Sequence, residues 1–160
     1  MVLSHEDYKK AYLGKRVDFD WYPPDAPYQC VDLARHYCLQ VRWLHTNHFG
    51  WSAYTWWINR LTTFPWKKTI SGFSVVPVGS VVILKPWSKV KVKKPGAWFW
   101  STERLTEAWH VAIVDYIDDS WTMRLLEQNG ATGNGDWLWG NAIRLWWYGS
   151  KDSVVGFILQ

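Results

Sequence analysis

The chain has 160 residues, of which 48% are hydrophobic and 20% are charged. This length suits one domain with a hydrophobic core, and the apolar content excludes an intrinsically disordered chain. The net charge of +4 favours encounter with anionic surfaces, but it does not choose among nucleic acid, lipid and wall polymers. We predict a single domain over residues 1–160, acting as a monomer.

The N-terminal sequence MVLSHEDYKK lacks the basic and apolar regions of a secretory signal peptide. No stretch approaches the roughly 18 apolar residues that a membrane-spanning helix needs. We therefore expect a protein that is made in a host cytoplasm and has no membrane span. If it acts outside the cell, another factor must release it.

The two cysteines, Cys30 and Cys38, fall within one predicted helix. Eight residues of helix separate them by about 12 Å, whereas a disulfide needs Cα atoms within about 7 Å. They are therefore not expected to bridge each other. Their spacing also does not match a zinc site of the CxxC kind.

Helices are predicted in the first half of the chain. A short polar element around residues 5–13 is followed by a proline-rich loop over residues 17–27. Apolar residues then recur with helical spacing at Val31, Ala34, Cys38 and Val41, which predicts a helix over residues 28–44. A second helix is predicted over residues 52–61.

Strands are predicted in the second half, where β-branched residues dominate. Their ranges are 79–85, 109–117, 121–128, 142–148 and 154–159. The basic run at residues 89–94 is either an exposed strand end or loop, or a surface that docks on an anionic polymer. The order of elements predicts an α+β fold, with N-terminal helices packed on an antiparallel sheet of about five to six strands.

Cys30 lies at the predicted start of a helix. A helix N-terminus carries partial positive charge and free N–H groups, which favour a thiolate and can hold a developing oxyanion. A buried structural cysteine is the alternative interpretation. Cys38 belongs to the apolar stripe and is interpreted as structural.

A nucleophilic thiol needs a base, and His110 is the best placed of the five histidines. His36 follows Cys30 by six residues and would point away from it on a helix. His110 begins an apolar strand, from which it could reach a helix N-terminus.

The hairpin that follows this strand suggests an orienting partner for His110. If the loop is Asp118-Asp119, Ile117 pairs with Ser120 and Glu127 lies opposite His110, with Asn129 on the same face. If the loop has three residues, the register shifts by one and Gln128 lies opposite.

Four motifs resemble those of the CHAP domains, the cysteine- and histidine-dependent amidohydrolases/peptidases. They occur in the expected order. The first three are Tyr28-Gln29-Cys30-Val31-Asp32-Leu33-Ala34, Val78-Gly79-Ser80-Val81-Val82-Ile83 and His110-Val111-Ala112-Ile113-Val114; the fourth is Leu126-Glu127-Gln128-Asn129.

The resemblance implies a papain-like α+β fold in which Cys30 attacks an amide carbonyl and His110 takes and returns the proton. Glu127 would orient His110, Asn129 would assist, and Gln29 would help the oxyanion site. It also implies bacterial peptidoglycan as the partner rather than nucleic acid, chemistry without a required cofactor, and a bacteriophage lysin that acts on the wall after release or as part of a virion.

Some phage members of the family hold a structural calcium ion in the loop before the cysteine. Asp18 and Asp20 resemble that Asp-x-Asp pattern, and Tyr22 and Asp32 are the further candidate ligands. Carboxylate and carbonyl oxygens suit Ca²⁺. An ordinary turn with solvated aspartates is the alternative.

The chain contains 15 tryptophans, which either stack on sugar rings in a substrate groove or fill the core. Two other functions compete with wall hydrolysis. One is a non-catalytic wall-binding or virion structural module of CHAP fold, and the other is a thiol amidase acting on a small soluble amide.

Overall fold

A computed structural model describes residues 2–18, 29–42, 52–59, 69–70, 76–93, 96–104, 109–128, 142–149 and 151–159. The helices are α1 (His5–Tyr12), α2 (Cys30–Arg42) and α3 (Ala53–Ile58). The strands are β1 (Thr69–Ile70), β2 (Val81–Leu84), β3 (Lys89–Lys93), β4 (Ser101–Arg104), β5 (His110–Ile117), β6 (Thr122–Glu127), β7 (Arg144–Gly149) and β8 (Val154–Ile158). None of the helices in these ranges is long and apolar enough to cross a membrane.

The predicted α+β class is confirmed, and the arrangement is consistent with a papain-like fold. The predicted count of five to six strands was too low, because the described residues form eight. The additional strands are the two-residue β1 and the β3–β4 hairpin. The basic run supplies β3, in which lysines face solvent and Val90 and Val92 are buried.

Helix α2 packs on the sheet through its apolar stripe. Val31, Ala34, Cys38 and Val41 are all buried, as their spacing predicts. They pack in one cluster with Ile113 of β5, so that α2 lies across one face of the sheet. Burial of that stripe, rather than helix propensity, supplies most of the stabilisation of a helix of this length.

The sheet is antiparallel throughout, in the order β1-β8-β2-β5-β6-β7-β3-β4. Along β5, Val111 and Ile113 join the cluster beneath α2, whereas Ala112 and Val114 join a second apolar cluster. That second cluster draws its described members from the strands and their connections. The sheet must therefore curve to cover its own second face.

The β5–β6 hairpin differs from both predicted registers. The N–H of Asp118 donates to the carbonyl of Thr122 at 3.1 Å, and the N–H of Trp121 donates to the carbonyl of Asp118 at 3.0 Å. The loop therefore has three residues, and Ile117 pairs with Met123 rather than with Ser120. The last loop residue, Trp121, has a φ of 63°, as the turn requires.

A bulge then shifts the register once more. Pairing is irregular between Val114 and Tyr116, and beyond that point Ile113 pairs with Leu126. If this register continues by one more pair, Ala112 rather than His110 lies opposite Glu127. His110 and Glu127 are therefore diagonal neighbours on one face of the sheet, a distance that long side chains can span.

Candidate active site

Cys30 is the first residue of α2 and is partly exposed. The turn that starts the helix is fixed by Asp32, which is buried. The Asp32 carboxylate Oδ2 accepts a hydrogen bond of 2.7 Å from the N–H of Gln29, and the N–H of Asp32 donates to the carbonyl of Gln29 at 3.2 Å. Free N–H groups in the first turn can then face a ligand at the thiol.

Gln128 holds the chain immediately before the nucleophile. Its Oε1 accepts from the N–H of Val17 at 2.8 Å, and its Nε2 donates to the carbonyl of Val17 at 2.7 Å and to that of Gln29 at 3.1 Å. Gln128 has no solvent-exposed surface. These bonds fasten two separate segments of the chain to the end of β6.

His110 lies at the start of β5, close enough to both Cys30 and Glu127 that each raises its pKa. Its Nε2 lies 3.1 Å from Glu127 Oε2. Since Nε2 is engaged by the carboxylate, Nδ1 is left to exchange a proton with the thiol. Burial lowers the pKa of His110, but the neighbouring Cys30 and the Glu127 carboxylate outweigh this effect and raise the pKa to about 10.

Glu127 is completely buried and accepts two further hydrogen bonds. Tyr148 Oη donates to Oε2 at 2.6 Å, and Arg144 Nε donates to Oε1 at 3.1 Å. Burial raises the pKa of Glu127, but the bond with His110, the Arg144 charge and the Tyr148 hydroxyl together hold it below its usual value. The pKa of Tyr148 is well above its usual range, because it is buried beside this carboxylate.

Arg144 and Tyr148 are site residues that the sequence reasoning missed. Both lie on β7, where Arg144 pairs directly with Glu127. The strand was predicted, but its pairing with β6 was not, because a long connection separates the two in sequence. Residues four apart on a strand share a face, so that pairing would have revealed both.

An aromatic pair lies next to the base. Trp109, which directly precedes His110, packs against Tyr54 of α3 with ring centroids 5.1 Å apart. Tyr54 is exposed, and Trp109 is half-buried. This pair joins α3 to the residue that directly precedes the base.

The remaining predicted site residues are only partly described. Gln29 is held by its backbone, as above, and its role at the oxyanion stays a prediction. Asn129, Asp20 and Tyr22 lie outside the described residues. Asp32 serves as the helix cap, and calcium at Asp18, Asp20, Tyr22 and Asp32 stays a prediction.

A second group of potential metal ligands lies between α1 and β5. In the described ranges, His5, Glu6 and Asp115 bring their ligand atoms within 4.8 Å of one another. Lys9 Nζ and His5 Nε2 contact Asp115 Oδ1 at 2.5 and 2.9 Å, and Arg124 pairs with Oδ2. This is an ion-pair network that fastens α1 to the sheet, and its cations already neutralise the carboxylate.

Comparison with known proteins agrees with this geometry. The family model of the CHAP domain matches residues 21–129, which is more than half of the chain and includes Cys30, His110 and Glu127. No curated protein and no solved structure matches the chain. CHAP domains are generally cysteine- and histidine-dependent amidohydrolases or peptidases, a class associated with peptidoglycan hydrolysis. This chain belongs to the CHAP domain family.

Proposed function

We propose that this protein hydrolyses amide bonds of bacterial peptidoglycan by a thiol mechanism. The observation that carries the proposal is the grouping of three residues: Cys30 at the N-terminus of α2, His110 under its electrostatic influence, and Glu127, which is hydrogen-bonded to His110. A thiol at a helix N-terminus, a buried histidine and an orienting carboxylate form the general arrangement of a nucleophile, its base and a third group.

The reaction has two halves. In the first, the Cys30 thiolate attacks the amide carbonyl carbon, and N–H groups at the start of α2 stabilise the oxyanion. The His110 imidazolium then gives its proton to the departing amine nitrogen, which leaves a thioester on Cys30. In the second, His110 takes a proton from water as the water attacks the thioester, and the acid and the free thiol are released.

Glu127 contributes by position and charge. It fixes the imidazole so that one ring nitrogen faces Cys30, and its negative charge stabilises the imidazolium. All of these steps use side chains and water, so the proposed chemistry requires no cofactor. A structural Ca²⁺ at Asp18 and Asp20 would act on the loop before Cys30, and a calcium-dependent rise in melting temperature that Asp18→Asn abolishes would establish it.

The test compares the native protein with Cys30→Ala on purified peptidoglycan. Cys38→Ala is the matched control, because Cys38 lies eight residues further along α2 and is buried. We expect turbidity loss and released amines from the native protein and from Cys38→Ala, and neither from Cys30→Ala. Mass spectrometry of the fragments then separates an amidase from an endopeptidase.

Retained activity in Cys30→Ala would contradict the proposal. Intact walls that nevertheless bind the native protein would support a non-catalytic wall-binding module instead. The family resemblance also suggests a bacteriophage lysin. A free lysin should cleave walls as the isolated chain, whereas a virion-borne one should be detected in purified particles.

A further inference from the structure

A groove of about 410 Å³ opens on the sheet at the closed end of the β5–β6 hairpin. It lies at the opposite end of the hairpin from the base, because His110 begins β5 and the loop follows Ile117. Eight residues of strand separate these ends by about 23 Å. The groove is therefore distinct from the thiol site. Its lining residues are Lys91, Trp100, Thr102, Ser120, Thr122 and Gly149.

Trp100 supplies an aromatic platform at this groove. A Cβ built on Gly149 would lie 3.4 Å from Trp100 Cζ3 and 3.6 Å from Cη2, so the indole packs directly on the glycine backbone. Trp100 is nevertheless 41% exposed. The Trp100 ring is thus packed against the backbone of Gly149, while part of its surface is exposed to solvent.

Hydroxyl groups surround this platform. Thr102 lies beside Lys91 in the β3–β4 register, and Thr122 lies opposite Gly149 across β6 and β7. The hydroxyl oxygens of Ser120 and Thr122 are 3.0 Å apart. Ser120 Oγ already donates to Asp118 Oδ1 at 2.6 Å, so Thr102 and Thr122 are the hydroxyls left for a ligand. Hydroxyls can both donate and accept, which matches the hydroxyls of a sugar ring.

The charge of the groove favours a sugar over a phosphate polymer. Among its described lining residues, one is cationic and none is acidic. Polyanions are held by several cations that neutralise successive phosphates. A flat aromatic surface with hydroxyl groups and one ammonium group instead suits a chain of neutral, hydroxyl-rich rings, whose apolar faces stack on indole.

We propose that this groove binds the glycan strand of peptidoglycan, with a sugar ring stacked on Trp100. The inference rests on the proposed function, because it assigns the groove to the polymer that the thiol site cuts. Its role is to hold the wall while Cys30 acts on the peptide. Loss of the groove should therefore weaken binding to polymeric walls without slowing hydrolysis of small soluble fragments.

Isothermal titration with chitohexaose, a neutral amino-sugar chain, tests the groove in a Cys30→Ala background. We expect Trp100→Ala to weaken binding about fivefold, from the loss of one stacked ring. Thr102→Val and Thr122→Val keep the shape and remove a hydroxyl, and each should weaken binding about threefold. Trp87→Ala is the matched control, because Trp87 is exposed but does not line the groove, and it should change binding less than about twofold.

Three results would overturn the inference: no binding of chitohexaose, equal losses in Trp100→Ala and Trp87→Ala, or tighter Trp100-dependent binding of poly(glycerol phosphate). A soluble muropeptide that lacks a glycan chain separates this inference from the proposed function. Its hydrolysis should be unchanged in Trp100→Ala. If the native protein cleaves neither walls nor muropeptide, the proposed function fails. The titration still shows whether the groove binds a glycan.

Discussion

Glu127 ends β6 and Gln128 directly follows it, yet the two hold different partners of the proposed reaction. Glu127 binds His110 on one face of the sheet, and Gln128 binds the carbonyl of Gln29, next to the nucleophile, on the other. The alternation of a strand separates their side chains. One short stretch of backbone therefore sets the position of base and thiol together.

Replacement of Gln128 by methionine tests the second of these contacts. The change keeps the side-chain length but leaves the buried N–H and carbonyl groups of Val17 without this partner, and removes one of the hydrogen bonds to the carbonyl of Gln29. Each such group costs about 1–3 kcal/mol, so we expect the free energy of unfolding to fall by about 3 kcal/mol. The measurement is urea denaturation, with kcat on peptidoglycan as a second readout, and kcat should also fall because Cys30 shifts.

The control for this variant is Gln40→Met on α2, where the side chain is only partly buried. It should change the free energy of unfolding by less than about 0.5 kcal/mol. If Gln128→Met is as stable and as active as this control, Gln128 does not hold the thiol in place.

Glu127→Gln tests the electrostatic role of the carboxylate. The hydrogen bond and charge of Glu127 raise the pKa of His110, so the neutral amide should lower that pKa. The imidazolium would then be lost at a lower pH, and the alkaline limb of the pH–rate profile should move down from its position near pH 10. We expect kcat/KM to fall roughly 10²- to 10⁴-fold.

A remote carboxylate controls for a general effect of charge on this profile. Asp119→Asn, in the exposed loop at the opposite end of the hairpin from His110, removes the same charge and should leave the alkaline limb in place. If the limb of Glu127→Gln also stays in place while activity falls, Glu127 acts only by orientation. A shift of the limb to higher pH would contradict the expectation that Glu127 raises the pKa of His110.

Asp115→Asn tests the network that fastens α1 to the sheet. His5, Lys9 and Arg124 hold the pKa of this buried carboxyl far below its usual value. Loss of the charge removes the counter-ion of Lys9 and Arg124, which should lower the free energy of unfolding by about 1–3 kcal/mol at pH 7, because both cations are partly exposed. Exposed Asp119→Asn should have little effect.

The pH dependence of this loss has a definite sign. Because the folded pKa is depressed, the contribution of Asp115 is present above the unfolded pKa of about 3.9 and is lost as the pH falls towards the folded value. In urea denaturation, the difference between the native protein and Asp115→Asn should therefore narrow below about pH 4. A difference that stays constant down to pH 2 would show that the carboxylate charge is not its source.

Local pattern in the sequence was enough to predict the elements that build the site. The stripe from Val31 to Val41 indicated α2, and the apolar run after His110 indicated β5. The strand partners were harder to predict, because pairing depends on contacts between distant segments. The β3–β4 hairpin was missed for a different reason: the exposed lysines of β3 resemble those of an ordinary charged loop.

The contact between His110 and Glu127 was predicted, but from a strand register that differs from the one in the structure. Both predicted registers assumed a regular ladder, whereas the structure combines a three-residue loop with a bulge at Asp115. Neither feature has a strong local signal, because Trp121 occupies the loop position where glycine is usual. The side chains meet diagonally instead of directly.

Trp121 itself provides the last prediction. Its φ of 63° is strained for a residue with a Cβ, but its side chain is buried against Phe157 with ring centroids 6.1 Å apart. Burial of a large aromatic side chain contributes about 3–5 kcal/mol, which exceeds the roughly 1–2 kcal/mol of backbone strain.

Both Trp121→Ala and Trp121→Gly should therefore destabilise the protein. Glycine adopts this backbone without strain, so Trp121→Gly should be more stable than Trp121→Ala by about 1 kcal/mol in urea denaturation. The opposite order would mean that the loop rearranges once the indole is removed, and that burial of Trp121 holds the β5–β6 register.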